Sequence, residues 1–304
     1  MSKDLNISFE FFPAKDRVGD EGLWESFTKL EVFDPKFVSV TFGAGGGERD
    51  KTDYLVKKIK KNSKTPVAGH LTCVDMSKDE INNIALDWLN NGINKIVALR
   101  GDVRTKNSKY QPHPKGYINA ADMVKGLKKL GNFSIAVAGY PEKHPESKNE
   151  NEDLENLKIK VEQGGDKIIT QFFFDHEKLL RFRDKSIAYG IKAPVIPGIL
   201  PIGNFQKVKD FSIKCGASIP KWIEDKFSNS KINLEDQKLV GVDIACNIVN
   251  KLQAEGINEF HFYTLNKYEL SYEVCKNLLI TKKVEKKEYD KNTNQFIQPK
   301  EIYI

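Results

Sequence analysis

The 304-residue sequence contains few cysteines and histidines and lacks long apolar runs. Its four cysteines are widely spaced and form no C-x-x-C pair, so we expect neither a zinc site nor a redox dithiol and interpret them as reduced thiols. The five histidines form no H-x-H motif, so we expect no metal. No run of about 18 apolar residues is available to span a membrane, and the N-terminal segment lacks the apolar core of a signal peptide. We therefore expect a cytoplasmic protein without a membrane partner.

Glycine-rich nucleotide-binding signatures are absent as well. A doubly wound dinucleotide-binding fold predicts G-x-G-x-x-G after its first strand, and none is present there. The glycine-rich segment 43–47 lacks that spacing and the Lys-Ser/Thr ending of a P-loop, so a mobile loop and a phosphate-binding loop both stay open. The net charge of +6 comes from lysines interleaved with acidic residues, which argues against a nucleic-acid partner.

Short apolar segments rich in β-branched and aromatic residues alternate with segments of helical period along most of the chain. Eight such alternations predict an α/β protein with a (β/α)₈ (TIM) barrel over residues 1–280, followed by a polar tail over 281–304. Helices are predicted at Lys78–Asn90, Ala120–Leu130, Leu154–Glu162, His176–Tyr189 and Leu239–Ala254. The predicted strands cover approximately residues 7–12, 37–42, 67–73, 95–100, 134–140, 167–174, 194–200 and 259–265.

The first predicted strand carries a single carboxylate, Glu10, within the apolar segment 8–13. Strand alternation places Glu10 on the face opposite to Phe9 and Phe11. Burial of an unpaired carboxylate is costly, so Glu10 is a candidate for chemistry; the alternative is a glutamate paired with Lys or Arg at a strand end.

Polar side chains recur where the predicted strands end, which is the end of a barrel that carries the active site. They suggest a polar, aromatic-lined mouth with one well-placed acid, suited to proton transfer beside a planar cofactor that composition does not name. Nucleophilic catalysis by Cys73 is disfavoured because His70, three residues earlier on the strand, faces the opposite way. The polar residues are Glu10, Thr41, His70, Thr72, Arg100, Asp102, Tyr140, His144, Gln171, His261, Tyr263 and Asn266.

Eight segments carry more specific information than any single feature. They are SFEFFP at 8–13, KFVSVTFGA at 36–44, HLTC at 70–73, ALRGD at 98–102, YPEKHPE at 140–146, TQFFF at 170–174, PGILP at 197–201 and HFYTLN at 261–266. In this order they resemble the signature sequences of bacterial 5,10-methylenetetrahydrofolate reductases, and the resemblance extends over about residues 7–280.

The resemblance implies a (β/α)₈ barrel with noncovalently bound FAD. It further implies a ping-pong reaction in which NADH or NADPH reduces FAD, which then passes hydride to 5,10-methylenetetrahydrofolate to form 5-methyltetrahydrofolate for methionine synthesis. A homo-oligomer is also implied, and no motif distinguishes NADH from NADPH. The alternatives are another FAD-dependent TIM barrel, such as a proline dehydrogenase, and an inactive barrel that serves as a binding subunit.

The resemblance also implies roles for individual residues. Glu10 would be the general acid that protonates the folate, which requires a pKa well above its usual range; we expect the phenylalanine neighbours and a bound ligand to raise it by desolvation. Asp102 would act beside the flavin and the pterin, unless it is a helix N-cap. Gln171 would bind the pterin, or be an amide inside the barrel. Phe205 would stack on the substrate, or pack under a helix, and Lys267 would bind the substrate.

Twelve residues correspond to the family's FAD contacts. Asp153, Asn156 and Lys160 share one helix face, which suits contact with the cofactor; an exposed helix face is the alternative. Arg100 and Lys160 are expected to bind the pyrophosphate. The twelve are Thr41, His70, Leu99, Arg100, Gly101, Asp102, Ala120, Tyr140, His144, Asp153, Asn156 and Lys160.

Four positions depart from the family's usual residues. Ala14 and Lys15 stand where Pro and Arg are common, and Lys267 replaces an Arg. A lysine keeps the charge but loses the bidentate geometry, so contact with a folate carboxylate is expected to be looser. Asn119 stands in place of a Tyr, with Tyr117 two residues away, so this contact stays open.

Overall fold

The computed structural model describes residues 5–42, 49–102, 110–228, 233–285, 289–290 and 295–296, with side chains described up to residue 279. The glycine-rich segment 43–47 lies outside the described residues. Most of the predicted tail, 281–304, also lies outside them, so its separation from the barrel stays a prediction.

Eight parallel strands close into a barrel in the order β1 to β8, with β1 paired to β8, which confirms the predicted fold class. Each predicted strand extends one or two residues past the observed strand at its carboxyl end, in some cases because apolar residues continue beyond the ladder. Phe173 and Phe174, for example, are buried although β6 ends at Phe172. The strands are β1 Asn6–Phe11, β2 Phe37–Val40, β3 Val67–Thr72, β4 Lys95–Leu99, β5 Ser134–Gly139, β6 Lys167–Phe172, β7 Val195–Ile199 and β8 Glu259–Tyr263.

The helices pack around the barrel and most begin at side-chain caps, whereas the helix after Pro220 begins without one. Two begin earlier than predicted because Asn149 and Asn233 cap them. Within the described residues, no helix combines the length and the apolar composition needed to cross a bilayer. The helices are α1 Arg17–Glu31, α2 Arg49–Asn62, α3 Lys78–Asn90, α4 Ala120–Leu130, α5 Glu150–Glu162, α6 His176–Ala188, α7 Phe205–Cys215, α8 Lys221–Phe227, α9 Leu234–Ala254 and α10 Glu269–Glu285; Tyr289–Asp290 (β9) and Gln295–Phe296 (β10) pair antiparallel.

The core has two parts. The larger part lies between strands and helices and includes Phe9, Phe11 and Trp88, all fully buried. Trp88 lies so close to Gly69 that any side chain at that position on β3 would overlap its ring. The smaller part groups apolar side chains from five strands, and its Phe37 stacks on His261. This smaller part therefore packs beneath the polar residues of the barrel interior. Its members are Phe37, Ala68, Val97, Ile169 and Ile196.

Candidate active site

Glu10 projects into the barrel near the carboxyl end of β1, between two histidines. Its Oε2 lies 3.3 Å from Nε2 of His70 on β3 and 3.6 Å from Nε2 of His261 on β8. Burial raises the pKa of Glu10, but hydrogen bonding to His261 and the charge of His70 outweigh it and lower the pKa to about 2. Glu10 is therefore an anion at neutral pH.

Apolar neighbours do not by themselves raise the pKa of Glu10 in the site that the structure describes, and the effect of a bound ligand stays a prediction. Phe9 and Phe11 point away from the barrel interior into the helix-facing core, so they do not surround the carboxylate. Glu10 is paired, as the structural alternative proposed, but with two histidines rather than with Lys or Arg.

His261 is fully buried and links Glu10 to two serines. Its Nδ1 lies 2.7 Å from Oγ of Ser8, and its Nε2 lies 3.3 Å from Oγ of Ser39. Register creates this arrangement, because Ser8 pairs with His261 across β1 and β8 while Glu10 pairs with Ser39 across β1 and β2. We call these five residues the Glu10 network: Ser8, Glu10, Ser39, His70 and His261. Ser8 and Ser39 were not identified as site residues from the sequence. The sequence offers one indication, namely that Ser8 lies on the same strand face as Glu10.

A cleft of about 570 Å³ opens beside the mouth, between the carboxyl ends of β3 to β5 and the helices α4 and α5. We call it the β4–β5 cleft. Ten of the twelve residues predicted to contact FAD line it, and their cofactor roles stay predictions. Thr41 and His70 do not line it; the Thr41 carbonyl accepts from Thr52 Oγ1 (2.8 Å), and His70 faces Glu10. The ten are Leu99, Arg100, Gly101, Asp102, Ala120, Tyr140, His144, Asp153, Asn156 and Lys160.

The two basic side chains of the cleft have partners within the protein. Arg100 forms a bidentate ion pair with Glu146, with Nη to Oε distances of 2.6 and 3.0 Å, and lies over the ring of Tyr110. Lys160 donates to the carbonyl of Ala138 (2.6 Å). Burial lowers the pKa of Lys160 to about 8, against the opposing effect of Asp153. The cleft thus holds two cations next to apolar wall residues.

Two further features shape the cleft. Gly101 has φ +87°, and a Cβ there would lie 2.5 Å from Val74 Cγ1, so only glycine fits this position after β4. Burial, together with the charge of Asp102, raises the pKa of Tyr140 to about 12, so Tyr140 keeps its proton at neutral pH. Asp102 is not the N-cap of the following helix α4, because Asn119 caps it.

Asn119 and Tyr117, for which the sequence leaves the cofactor contact open, form different hydrogen bonds. The Asn119 side chain accepts from the backbone N–H of Asp122 (3.0 Å), and the residue also lines the cleft. Tyr117 is buried and donates to Asn82 Oδ1 (2.7 Å), away from the cleft. Lys15 is exposed, and its carbonyl accepts from Lys51 (3.0 Å).

The predicted substrate residues lie outside the β4–β5 cleft. Gln171 is half-buried where the β6–β7 register shifts, an irregularity that redirects side chains at a barrel rim. The ring of Phe205, at the start of α7, stacks on Phe227 with centroids 4.6 Å apart, and its role toward substrate stays a prediction. Lys267 is exposed in the loop after β8.

Metal-binding clusters are absent from the described residues. No group of three or more His, Cys, Asp or Glu side chains in this part of the chain is arranged to hold a metal ion. The four cysteines are free thiols, and two of them, Cys73 and Cys275, are buried.

Comparison with known proteins decides the family. The family model described as methylenetetrahydrofolate reductase matches residues 1–279. The chain belongs to the methylenetetrahydrofolate reductase family. It is 47% identical over 274 residues to the 5,10-methylenetetrahydrofolate reductases of Salmonella typhimurium and Escherichia coli, covering 90% of each chain. It is 34% identical over 283 residues to a probable methylenetetrahydrofolate reductase (NADH) of Oryza sativa, covering 90% of this chain and 48% of the rice protein. These findings confirm the resemblance drawn from the eight segments.

A solved structure shares the fold of this reductase family member. It is a protein of Clostridium thermocellum described as binding two copies of 5-methyl-5,6,7,8-tetrahydrofolic acid. The TM-score is 0.64 over 92% of this chain and 96% of that chain, with 16% sequence identity. At this identity the likeness concerns the barrel alone.

Proposed function

We propose that the protein reduces 5,10-methylenetetrahydrofolate to 5-methyltetrahydrofolate, with FAD in the β4–β5 cleft and NADH or NADPH as the hydride donor. One observation carries the proposal: a single cleft collects ten residues that correspond to FAD contacts, in a chain of this reductase family. Family membership argues against a proline dehydrogenase. The inactive-barrel alternative is tested by the experiment below.

The residues of the cleft fit FAD. A volume of about 570 Å³ lies within the usual range for cofactor sites. Arg100 and Lys160 supply the positive charge that a diphosphate requires, and Gly101 lets a ligand approach the backbone. Alanines at 120, 121 and 138 supply apolar wall for a ring system. FAD, when bound, accepts hydride from a nicotinamide and passes it to a carbon acceptor.

Each charged residue of the cleft has a proposed task. Arg100 exchanges part of its ion pair with Glu146 for the cofactor's phosphates, while Lys160 adds charge from the cleft floor. Asp102, exposed at the rim, places negative charge beside the reacting groups and disfavours further negative charge there. Tyr140 keeps its proton and is available as a donor.

Glu10 is the proposed proton donor to the folate, although it is ionised in the site described here. We infer that it takes up a proton when folate binds, before it passes one on. Bound folate removes water from the mouth, and a low-dielectric site favours the neutral carboxyl group over the carboxylate. The proton then moves from the Glu10 carboxyl group to a folate nitrogen, leaving the carboxylate to be reprotonated.

The proposed roles of the other three predicted substrate residues rest on different observations. Gln171 is proposed to bind the pterin, because the register shift places its half-buried amide at the rim. Lys267 is proposed to attract a folate carboxylate from its exposed loop. Phe205 is proposed to stack on the substrate with the ring face that Phe227 does not cover.

An anaerobic visible spectrum of the purified protein tests the proposal. A flavin band that bleaches with NADH or NADPH and returns with 5,10-methylenetetrahydrofolate supports cofactor, donor and acceptor together. A flavin band that bleaches but does not return with 5,10-methylenetetrahydrofolate removes the folate as the proposed hydride acceptor. A colourless protein that FAD does not reconstitute supports the inactive-barrel alternative instead.

A further inference from the structure

The loop after β8 has an unusual backbone. Leu265 and Asn266 are consecutive non-glycine residues in the left-handed region, with φ values of 51° and 56°. Asparagine tolerates this region, whereas leucine does so at a cost. Burial of Leu265 does not offset that cost, because the residue is 46% exposed. Strain of this kind persists where surrounding contacts hold it and where the resulting geometry has a use.

Those contacts join the loop to the end of β1. The Asn266 Oδ1 accepts from the backbone N–H of Phe12 (2.9 Å), and its Nδ2 donates to the Phe12 carbonyl (2.7 Å). Thr264 Oγ1 donates to the Glu10 carbonyl (2.6 Å) and accepts from the Asn266 N–H (3.1 Å). These contacts thus hold the main chain from the carbonyl of Glu10 to Phe12.

This double contact continues the strand pairing past its last regular pair. The β1–β8 ladder ends at Glu10 and Tyr263, two residues before Phe12. The amide of Asn266 offers one acceptor and one donor, as the next residue of a paired strand would. The ladder of five residue pairs closes the barrel without it, so the contact mainly fixes the chain that follows Glu10.

We propose that Asn266 is a positioning residue that, through the main chain of Phe12, holds the Glu10 carboxylate opposite His70 and His261. The link to folate reduction rests on the proposed function of Glu10. The geometric part, in which Asn266 sets the distances within the Glu10 network, stands independently of any substrate.

The test compares Asn266→Ala with Ser26→Ala. Ser26 Oγ donates to the main-chain carbonyl of Asn266 (2.9 Å), so its loss loosens the same loop but leaves both amide contacts to Phe12. In protein without folate, we expect the ring NMR signals of His70 and His261 to shift in Asn266→Ala, while those of His113 and His176 stay in place. In reduced enzyme we expect the folate step to slow about tenfold to hundredfold, with reduction by NADH unchanged. Ser26→Ala retains the wild-type signals and rates.

Unchanged histidine signals in Asn266→Ala contradict the proposal, as do equal losses in Ser26→Ala, which indicate general loosening. If Asn266→Ala does not fold, Asn266→Asp replaces it, because an aspartate still accepts from Phe12 but cannot donate to it. We expect smaller shifts of the same two signals, and wild-type signals contradict the proposal. Shifted signals in a protein whose wild type reduces no folate overturn the proposed function and leave the positioning role in place.

Discussion

The Glu10 network and the β4–β5 cleft lie at the same end of the barrel, yet they are built in different ways. The network joins side chains from four strands, and its central His261 is fully buried. The cleft is built from strand ends, loops and helix faces, and its Arg100 is paired with Glu146, which is 56% exposed. Strand register therefore sets the geometry of the network before any ligand arrives, whereas a ligand in the cleft replaces existing contacts.

This difference predicts that substitutions in the network change chemistry and that substitutions in the cleft change cofactor affinity. Glu10→Gln should slow reduction of 5,10-methylenetetrahydrofolate about 10²- to 10⁴-fold, the usual size of a general acid–base contribution. FAD content and the rate of flavin reduction by NADH or NADPH should stay at the wild-type level. Stopped-flow measurement of the two half-reactions checks this, and a wild-type folate step in the variant would remove Glu10 as the acid.

In the cleft, Gly101→Ala should destabilise the protein by about 2 to 4 kcal/mol, because it adds left-handed strain and a Cβ overlap with Val74. Gly190→Ala is the matched control: Gly190 has φ +85°, but a Cβ there meets nothing within 4 Å. We expect it to lose about 1 kcal/mol, from strain alone. Urea unfolding measures the loss of stability in each variant, and FAD titration measures the cofactor affinity that each variant retains. Equal losses in the two variants would show that close packing at Gly101 is unimportant.

The network also predicts a dependence of stability on pH. The pKa of Glu10 is lowered from 4.5 to about 2 in the folded protein, so its contribution is complete above about pH 4.5 and is lost as the pH falls towards 2. The full contribution corresponds to about 3 kcal/mol, of which about 1.5 kcal/mol is lost between pH 4.5 and pH 3. Urea unfolding at these two pH values should show this loss in the wild type beyond that in Glu10→Gln. Equal losses of unfolding free energy in the wild type and in Glu10→Gln would mean that the histidines do not stabilise the carboxylate.

The smallest expected effect concerns the internal partner of Arg100. Glu146→Gln frees the guanidinium group for phosphate, so FAD should bind about twofold to fivefold more tightly, as expected for loss of a partly exposed ion pair. Glu150→Gln removes the exposed Glu150–Lys185 ion pair outside the cleft and should leave FAD affinity unchanged. Flavin fluorescence titration compares the two variants. Weaker FAD binding in Glu146→Gln would mean that Glu146 orients Arg100 rather than competing for it.

Much of the fold could be predicted from the sequence, because strand and helix periodicity are local properties. Helices α3 and α4 have the predicted bounds. The errors are also local: the phenylalanines at 173 and 174 read as strand although they lie beyond the β6 ladder. Helix α9 begins five residues before the predicted start, at the cap provided by Asn233.

The candidate site was predictable only in part. Residues of the cleft fall in short contiguous segments such as 98–102 and 140–146, so recognition of these segments brought them together. The surroundings of Glu10 depend on strand register, which pairs it with Ser39 and places His261 opposite Ser8. No local pattern carries that information, and the phenylalanines beside Glu10 in sequence suggested an apolar setting that the alternation of β1 does not produce.

A crystal structure of the protein with FAD tests the central claim most directly, namely that the cleft holds the cofactor while the Glu10 network stays intact. The account predicts FAD in the β4–β5 cleft, with its phosphates within hydrogen-bond distance of Arg100 and Lys160 and with Glu10 still between His70 and His261. FAD bound elsewhere, or a Glu10 network rearranged by the cofactor, would contradict it.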